Sequence, residues 1–296
     1  MRRDAWLVFC VAVTGFVPPT VQAATGAWEA GAAATVTYDD NLPRAVDAAN
    51  DFSDLATQLD ARLERVTVLQ PGRWLRVGGL LQGQTHPDTR GLDHLGLGVQ
   101  VGLSQKFGLG ALAPRVSLQL ESRRLQFRNV LRDGWLHRAR LGIDRRTSMQ
   151  WQFGGHVAQE WRHGDGRRAE VINPAFSTAV FDQQNIELGV YAQYEFAGGA
   201  LLRSSCRYRD GQTDSSARPG GVLRNVAQAI TRDTGIGQDY FVYRVAVRTI
   251  GCAADVDLPL TDDTSMSLGA ERLESNARTN VRYERNVLRL QLTHRF

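Results

Sequence analysis

The sequence predicts an all-β protein, a transmembrane antiparallel β-barrel of about 12 strands with short periplasmic turns and longer extracellular loops. Three observations predict it. Apolar and polar residues alternate with a period of two along most of the 296 residues, as in strands with one oily face. The spacers between these segments alternate between long and short. The last alternating segment runs to the final residue, Phe296.

The first 23 residues are predicted to be a signal peptide and not part of the fold. Arg2 and Arg3 supply a basic start, and an apolar run of 12 residues follows over 6–17, too short to span a bilayer as a helix. Val21-Gln22-Ala23 then offers small residues where a signal peptidase cuts. The predicted organisation is therefore a signal peptide over 1–23 and a transmembrane barrel over 24–296.

Composition excludes some classes of protein. No later stretch reaches the roughly 20 apolar residues that a spanning helix needs. The formal net charge of +4 is spread through alternating strands and does not form a basic patch, so a nucleic-acid partner is not expected.

The alternation is clearest in the fourth segment, where Leu95, Leu97 and Val99 share one face and Gly96 and Gly98 share the other. Such a pattern fits strands that contact lipid on one side. The predicted strands cover residues 26–38, 53–69, 74–83, 95–106, 114–126, 135–146, 149–161, 182–196, 200–210, 239–258, 265–274 and 283–296.

The spacers have the phase that a barrel with both termini inside requires, because the first is long and the second is short. Pro71-Gly72 is one of the short turns. The long, polar spacers lie near 39–52, 84–94, 127–134, 162–181, 211–238 and 275–282. An even strand count and the correct phase are two independent agreements, and a soluble β-sandwich predicts neither.

The spacing of aromatic residues along two strands agrees with the height expected of a membrane barrel. Trp28 and Tyr38 lie ten residues apart on one strand face, and so do Trp151 and Trp161. Ten residues extend about 33 Å along a strand. A tilt of about 40° reduces this to roughly 25 Å, the height of the apolar band between the two aromatic girdles. We therefore predict that these four residues belong to the girdles.

The closing strand resembles the C-terminal β-signal of bacterial outer-membrane proteins, in which apolar residues precede a terminal Phe at every second position. Leu288, Leu290, Leu292 and Phe296 match this pattern, and His294 departs from it. The resemblance implies recognition by the barrel-assembly machinery. It also implies a place in the bacterial outer membrane, among its lipids and lipopolysaccharide.

The segment Tyr38-Asp39-Asp40-Asn41-Leu42-Pro43-Arg44 is similar to a Y-D-D-N-[LV]-x-R motif. That motif follows the first strand in proteobacterial outer-membrane proteins described as porins or exopolysaccharide-operon barrels. The resemblance implies a compartment and a fold but no activity. Asp39, Asp40 and Asn41 suit a strand exit, where their side chains cap loop backbone. Binding of Ca²⁺, or bridging of lipopolysaccharide through divalent ions, is the less favoured interpretation.

Extending the alternation places charged side chains in the lumen. The predicted acidic wall is Glu160, Glu187 and Glu195, and the predicted basic track is Arg203, Arg207, Arg244, Arg248 and Arg289. Opposed walls would set a transverse field across a pore that passes small polar or anionic solutes, and guanidinium groups could guide acidic oligosaccharides. The alternative is that these charges neutralise one another and plug a narrow barrel.

Two other functions remain open. A non-conducting structural barrel could assist export or assembly of a surface polysaccharide, with 211–238 as its contact loop. An outer-membrane lipase or deacylase would need a Ser–His pair, and no such signature is visible. His86, Asp88, Asp93 and His94 match no metal site, so neither a metal nor a cofactor is predicted.

Cys206 and Cys252 are expected on neighbouring strands in an oxidising compartment. Strict alternation places Cys206 with Leu202 on the lipid face and Cys252 with Arg248 in the lumen. We therefore predict free thiols.

Overall fold

The computed structural model describes residues 26–46, 49–166, 169–219, 222–277 and 281–296, so the predicted signal peptide lies outside the described residues. Within these ranges the protein is all-β, with one short helix, α1 (Val222–Val226), and 3-10 turns at Arg90–Leu92 and Val130–Arg132. The strands are β1 (Ala27–Asp39), β2 (Asp54–Gln70), β3 (Arg73–Thr85), β4 (His94–Lys106), β5 (Arg115–Phe127), β6 (Gly134–Arg146), β7 (Trp151–Gly164), β8 (Gln183–Glu195), β9 (Leu201–Ala217), β10 (Ala227–Arg232), β11 (Phe241–Pro259), β12 (Thr264–Ala277) and β13 (Arg282–Arg295).

Twelve of the strands close into an antiparallel barrel, which confirms the predicted fold. Consecutive strands pair from β1 to β9, β9 pairs with β11, and β13 closes the ring on β1. β10 lies outside the ring and pairs with β11, and an isolated bridge joins its Ala229 to Ser177. The twelve predicted segments coincide with the twelve barrel strands. Their ends agree within three residues, except that β9 continues to Ala217.

The outer wall is apolar because it faces lipid. Leu59, Leu97 and Val99 expose 62%, 65% and 61% of their surface, although water would disfavour each of them. Their strand neighbours face inward and are polar or glycine, as at Gln58 and Gly98. The closed ring also satisfies every strand edge, which a hydrocarbon environment requires.

Aromatic side chains lie at both ends of this apolar wall. Tyr38, Trp135 and Trp161 lie at the end with the long loops. Trp28 and Trp151 lie at the end with the short turns, where Trp151 packs against Tyr194 at 4.9 Å between ring centroids. Short turns mark the periplasmic end of an outer-membrane barrel, so we call the long-loop end the outer end.

The outer end carries a folded structure where the sequence predicted a loop. β9 pairs with β8 only as far as Gly211, but its ladder with β11 continues to Ala217. We call residues 211–219 and 222–240 the outer cap; they contain the end of β9, α1 and β10. The cap and the loops beside it bury two apolar clusters: Ala217, Leu223, Ile230, Tyr243, Val245, Val247, Ala277, Val281 and Tyr283; and Leu131, Val180, Phe181, Ala229 and Val242.

None of the helices in the described ranges is long and apolar enough to cross a membrane.

The prediction of free thiols is wrong, because Cys206 and Cys252 form a disulfide. The two residues are direct partners in the β9–β11 ladder. Both face the lipid side, together with Ile250 on β11, which is 59% exposed. The error came from taking Arg248 as a marker of the lumenal face, when Arg248 faces outward as well.

Candidate functional site: the lumen and its roof

The structure divides the predicted basic track. Arg203, Arg207 and Arg289 lie on the lumenal face. Arg248 was wrongly placed in the lumen: its side chain is 73% exposed on the outer rim and pairs with Asp210 at 3.5 Å. Arg244 was also wrongly placed, since it lies beyond the barrel wall and donates to the carbonyl oxygens of residues 179 and 182. Charged side chains can face outward there because the apolar band ends below them.

The predicted acidic wall is not separated from the basic residues. Glu160 pairs with Arg209 at 2.5 Å, and Glu187 pairs with Arg138 at 3.0 Å. The remaining acid of the set, Glu195, lies near the periplasmic end, 3.3 Å from an arginine of β6, Arg146. Acids and arginines therefore interleave on β6 to β9 and neutralise one another locally. Sequence alternation gives the face of each residue but not its neighbour on the next strand.

A second set of charges has no ion-pair partner among the described residues. Its lumenal cations include Arg62 on β2, and Arg140, Arg162 and Arg203 on β6, β7 and β9. Two of them bind neutral acceptors: Arg140 contacts His156 Nδ1 at 3.2 Å, and Arg203 donates to Gln193 at 3.2 Å.

Three of the acids without an ion pair lie along β2, and Asp257 of β11 is another that lines the lumen. Asp54, Asp60 and Glu64 share the lumenal face of β2 at spacings of six and four residues. β2 and β8 are six strands apart in a ring of twelve, so these acids face the wall of β6 to β9. Because Arg62 lies between Asp60 and Glu64 on the same face of β2, the transverse charge separation is partial, and it lies between different residues from those predicted. The alternating charges of β2 were the signal in the sequence.

His156 lies in the middle of the lumenal wall. Its Nε2 is 3.0 Å from Glu187 Oε1, and its ring covers Gly189, where an added Cβ would come within 2.2 Å of the ring. A lipase or deacylase would need a histidine bonded to a serine hydroxyl. In the described chain the one histidine–hydroxyl hydrogen bond joins His294 to a threonine, Thr264, at 2.9 Å.

The outer cap and the loops that carry Arg44 and Arg132 together cover the outer end of the lumen, and we call them the roof. Ion pairs hold the parts of the roof together. Arg44, from the loop after β1, binds Asp214 of the outer cap at 2.5 Å. Arg132 binds Asp214 at 3.1 Å and also pairs with Asp233, which is completely buried. Ser216 donates to Asp233 at 3.1 Å. Arg44 and Asp214 are separated by 170 residues, so the roof joins distant parts of the chain.

The ion pairs act on the pKa of both loop arginines. The Asp214 carboxylate raises the pKa of Arg44. Burial lowers the pKa of Arg132, but the Asp233 and Asp214 carboxylates outweigh it and raise that pKa. Both guanidinium groups therefore stay charged beneath the cap.

The tip of the cap sits directly on the loop after β3. A Cβ added at Gly91 would lie 2.2 Å from the Cα of Gly235. Only glycine at position 91 permits this approach. The roof is therefore held in place by this backbone contact as well as by ion pairs.

The lumen contains neighbouring cavities that share lining residues. The largest, about 720 Å³, is roofed by residues of the cap and the first loop, among them Arg44 and Ile236. A cavity of about 500 Å³ shares Arg162 with it, and a cavity of about 440 Å³ towards the periplasmic end shares Gln58.

The acidic motif after β1 caps and links backbone. Asn41 Oδ1 accepts from the backbone N–H of Ala45 at 2.7 Å, and Asp40 accepts from both the backbone and the side chain of Asn286 at 2.7 Å. Asp39 pairs with Arg285 of β13. Within the described ranges, no group of three or more His, Cys, Asp or Glu side chains is arranged to hold a metal ion.

Strand order, closure and the apolar outer wall define the fold of an outer-membrane β-barrel. An outer-membrane channel from Pseudomonas putida F1 is similar to this chain, with a TM-score of 0.59 and 12% identity over 95% of this chain and 100% of that one. The NanC porin matches with a TM-score of 0.46 and 10% identity, over 89% and 98% of the two chains. At 12% identity, the likeness to the Pseudomonas putida channel shows the fold. No protein-family model and no curated protein matches the sequence.

Proposed function

We propose that the protein is a porin-like channel of the bacterial outer membrane for small polar or anionic solutes. The observation that carries this proposal is the lumen itself, whose neighbouring cavities are lined by Asp54 and Asp60 of β2 and by Arg162 and Arg203 of β7 and β9. The fold shared with the Pseudomonas putida channel supports the outer membrane as the location.

Charge separation gives the lumen its selectivity. Arg140 and Arg203 lack carboxylate partners in the described chain, so their guanidinium groups are free to fork onto a passing carboxylate. Asp60, on the facing wall, favours the positive end of a dipolar solute. We expect acidic oligosaccharides to be candidate solutes, with lipopolysaccharide and the outer-membrane lipids around the barrel and the barrel-assembly machinery as its insertion partner.

Ion selectivity in planar bilayers tests the proposal. The wild-type barrel should conduct with a preference for anions, and the double variant R140Q/R203Q should lose most of it, because both changes remove lumenal positive charge. R248Q is the matched control, since Arg248 is an exposed outward arginine. A barrel without measurable conductance would contradict the proposal, as would equal effects of the lumenal and outward variants.

The roof favours a second candidate, a closed structural barrel that assists surface polysaccharide export or assembly. In that case no conductance should appear even when the roof is weakened by G91A. A lipase or deacylase assay on the same refolded barrel then tests the enzymatic alternative.

A further inference from the structure

The cavity of about 500 Å³ beneath the roof, which we call the upper chamber, has an unusual lining. Lumens of outer-membrane barrels are polar. Here Leu125, Phe127, Leu136 and Val287 face inward and line the chamber. Its wall is therefore partly apolar, and its volume lies in the range of about 300–1,000 Å³ that holds small organic ligands.

Nearly all the arginines that line the upper chamber are neutralised. Arg44 pairs with Asp214, and Arg285 pairs with Asp39. The further pairs are Arg123–Glu121, Arg207–Glu271 and Arg209–Glu160. These arginines contribute dipoles but little net charge. Arg162 remains, and it has no ion-pair partner in the part of the chain that the structure describes.

Arg162 is held in a fixed position. Its guanidinium carbon lies 4.8 Å from the ring centroid of Phe181 and 5.5 Å from that of Phe127. One terminal nitrogen donates to the backbone oxygen of Arg132 at 3.1 Å. Its Nε is buried and has no hydrogen-bond partner. Stacking between two aromatic rings orients a guanidinium and leaves its edge free for an acceptor.

We propose that the upper chamber is a binding site for an amphiphilic organic monoanion, a compound with one carboxylate on an apolar or aromatic body. The carboxylate binds Arg162, and the apolar body packs on Phe127, Leu125 and Val287. A single positive charge without a partner accepts one carboxylate. This inference rests on the proposed channel function and names the solute class at the site.

Benzoate is the probe. Calorimetric titration of the refolded barrel in a non-ionic detergent should show benzoate binding more tightly than benzyl alcohol, which lacks the charge, and than acetate, which lacks the ring. R162Q should weaken benzoate binding about 10- to 100-fold, the range for loss of a charge-assisted hydrogen bond. L125A, which removes apolar lining but no contact of Arg162, should weaken benzoate binding and leave acetate unchanged. R248Q, at an exposed outward site, should behave as the wild type.

Two results would overturn the inference: benzyl alcohol binding as tightly as benzoate, or R162Q binding benzoate as the wild type does. If R162Q fails to refold, R162K keeps the charge and loses the stacking. R162K must then retain the preference for benzoate over benzyl alcohol, and loss of that preference would refute the proposal. Binding without conductance would contradict the channel, whereas conductance without a benzoate site would contradict only this inference.

Discussion

The disulfide between Cys206 and Cys252 should make a large contribution to the stability of the folded barrel. It joins residues 46 apart in the chain, and the closed loop contains the outer cap. The chain-entropy relation gives a loss of about 13.5 cal/mol/K for a loop of this length, which is about 4 kcal/mol at 25 °C. The double variant C206S/C252S removes the cross-link with little change in volume.

Urea unfolding, followed by gel mobility of the folded barrel and by tryptophan fluorescence, measures this effect. With a slope of about 2 kcal/mol/M, the loss should lower the urea midpoint by about 2 M. Wild type refolded under reducing conditions should unfold at the same midpoint as the double variant. The single variant C206S, which also lacks the cross-link, is the control for the serine substitution.

An unchanged midpoint in C206S/C252S would refute the reasoning, because the loop-closure entropy would then be absent. A loss in the serine variant but not in reduced wild type would also refute it. That outcome would assign the effect to the polarity of serine against lipid and not to the cross-link.

Three further predictions concern the roof. G91A should displace the cap tip at Gly235, because its Cβ would lie 2.2 Å from the Cα there, and should raise both conductance and cleavage of the cap by protease. D233A should remove one buried carboxylate partner of Arg132 and destabilise the cap by roughly 3–5 kcal/mol. Amide hydrogen exchange should then increase in the cap alone, and a uniform increase throughout the barrel would contradict the prediction. Burial lowers the pKa of His86 from 6.5 in the folded protein. As the pH falls, His86 is therefore protonated in the unfolded loop before it is protonated in the folded one, and cap stability should decrease below about pH 6.5. H86N should remove this acid sensitivity in limited proteolysis, and an unchanged pH profile in H86N would exclude His86 as the cause.

The barrel was readable from the sequence because lipid imposes a local rule. A strand in hydrocarbon must turn apolar side chains outward at every second position and must pair both edges. The run from Leu95 to Leu103 meets that rule, and so does the run from Leu288 to Leu292. The number of barrel strands, the loop phase and all strand ends but that of β9 therefore followed from the sequence alone.

The same rule fails where the apolar band ends. At the outer rim the outward side of a strand meets water and headgroups, so Arg248 can face out and pair with Asp210. Taking each arginine as lumenal inverted the faces of β11 and led to the wrong prediction for Cys252. Charge marks the lumenal face only at the depth of the hydrocarbon.

Partners across strands and across the barrel came only from the tertiary structure. Alternation assigned Glu187 and Arg203 to the lumen, but the register determined that Glu187 binds Arg138 while Arg203 makes no ion pair in the described chain. The roof depends on Arg44 meeting Asp214, 170 residues further along the chain. The alternation of residues along the sequence does not predict such contacts, because closure of the ring and packing of the cap bring those residues together. The sequence thus determined the membrane-facing half of the protein, and the tertiary structure determined the inner half.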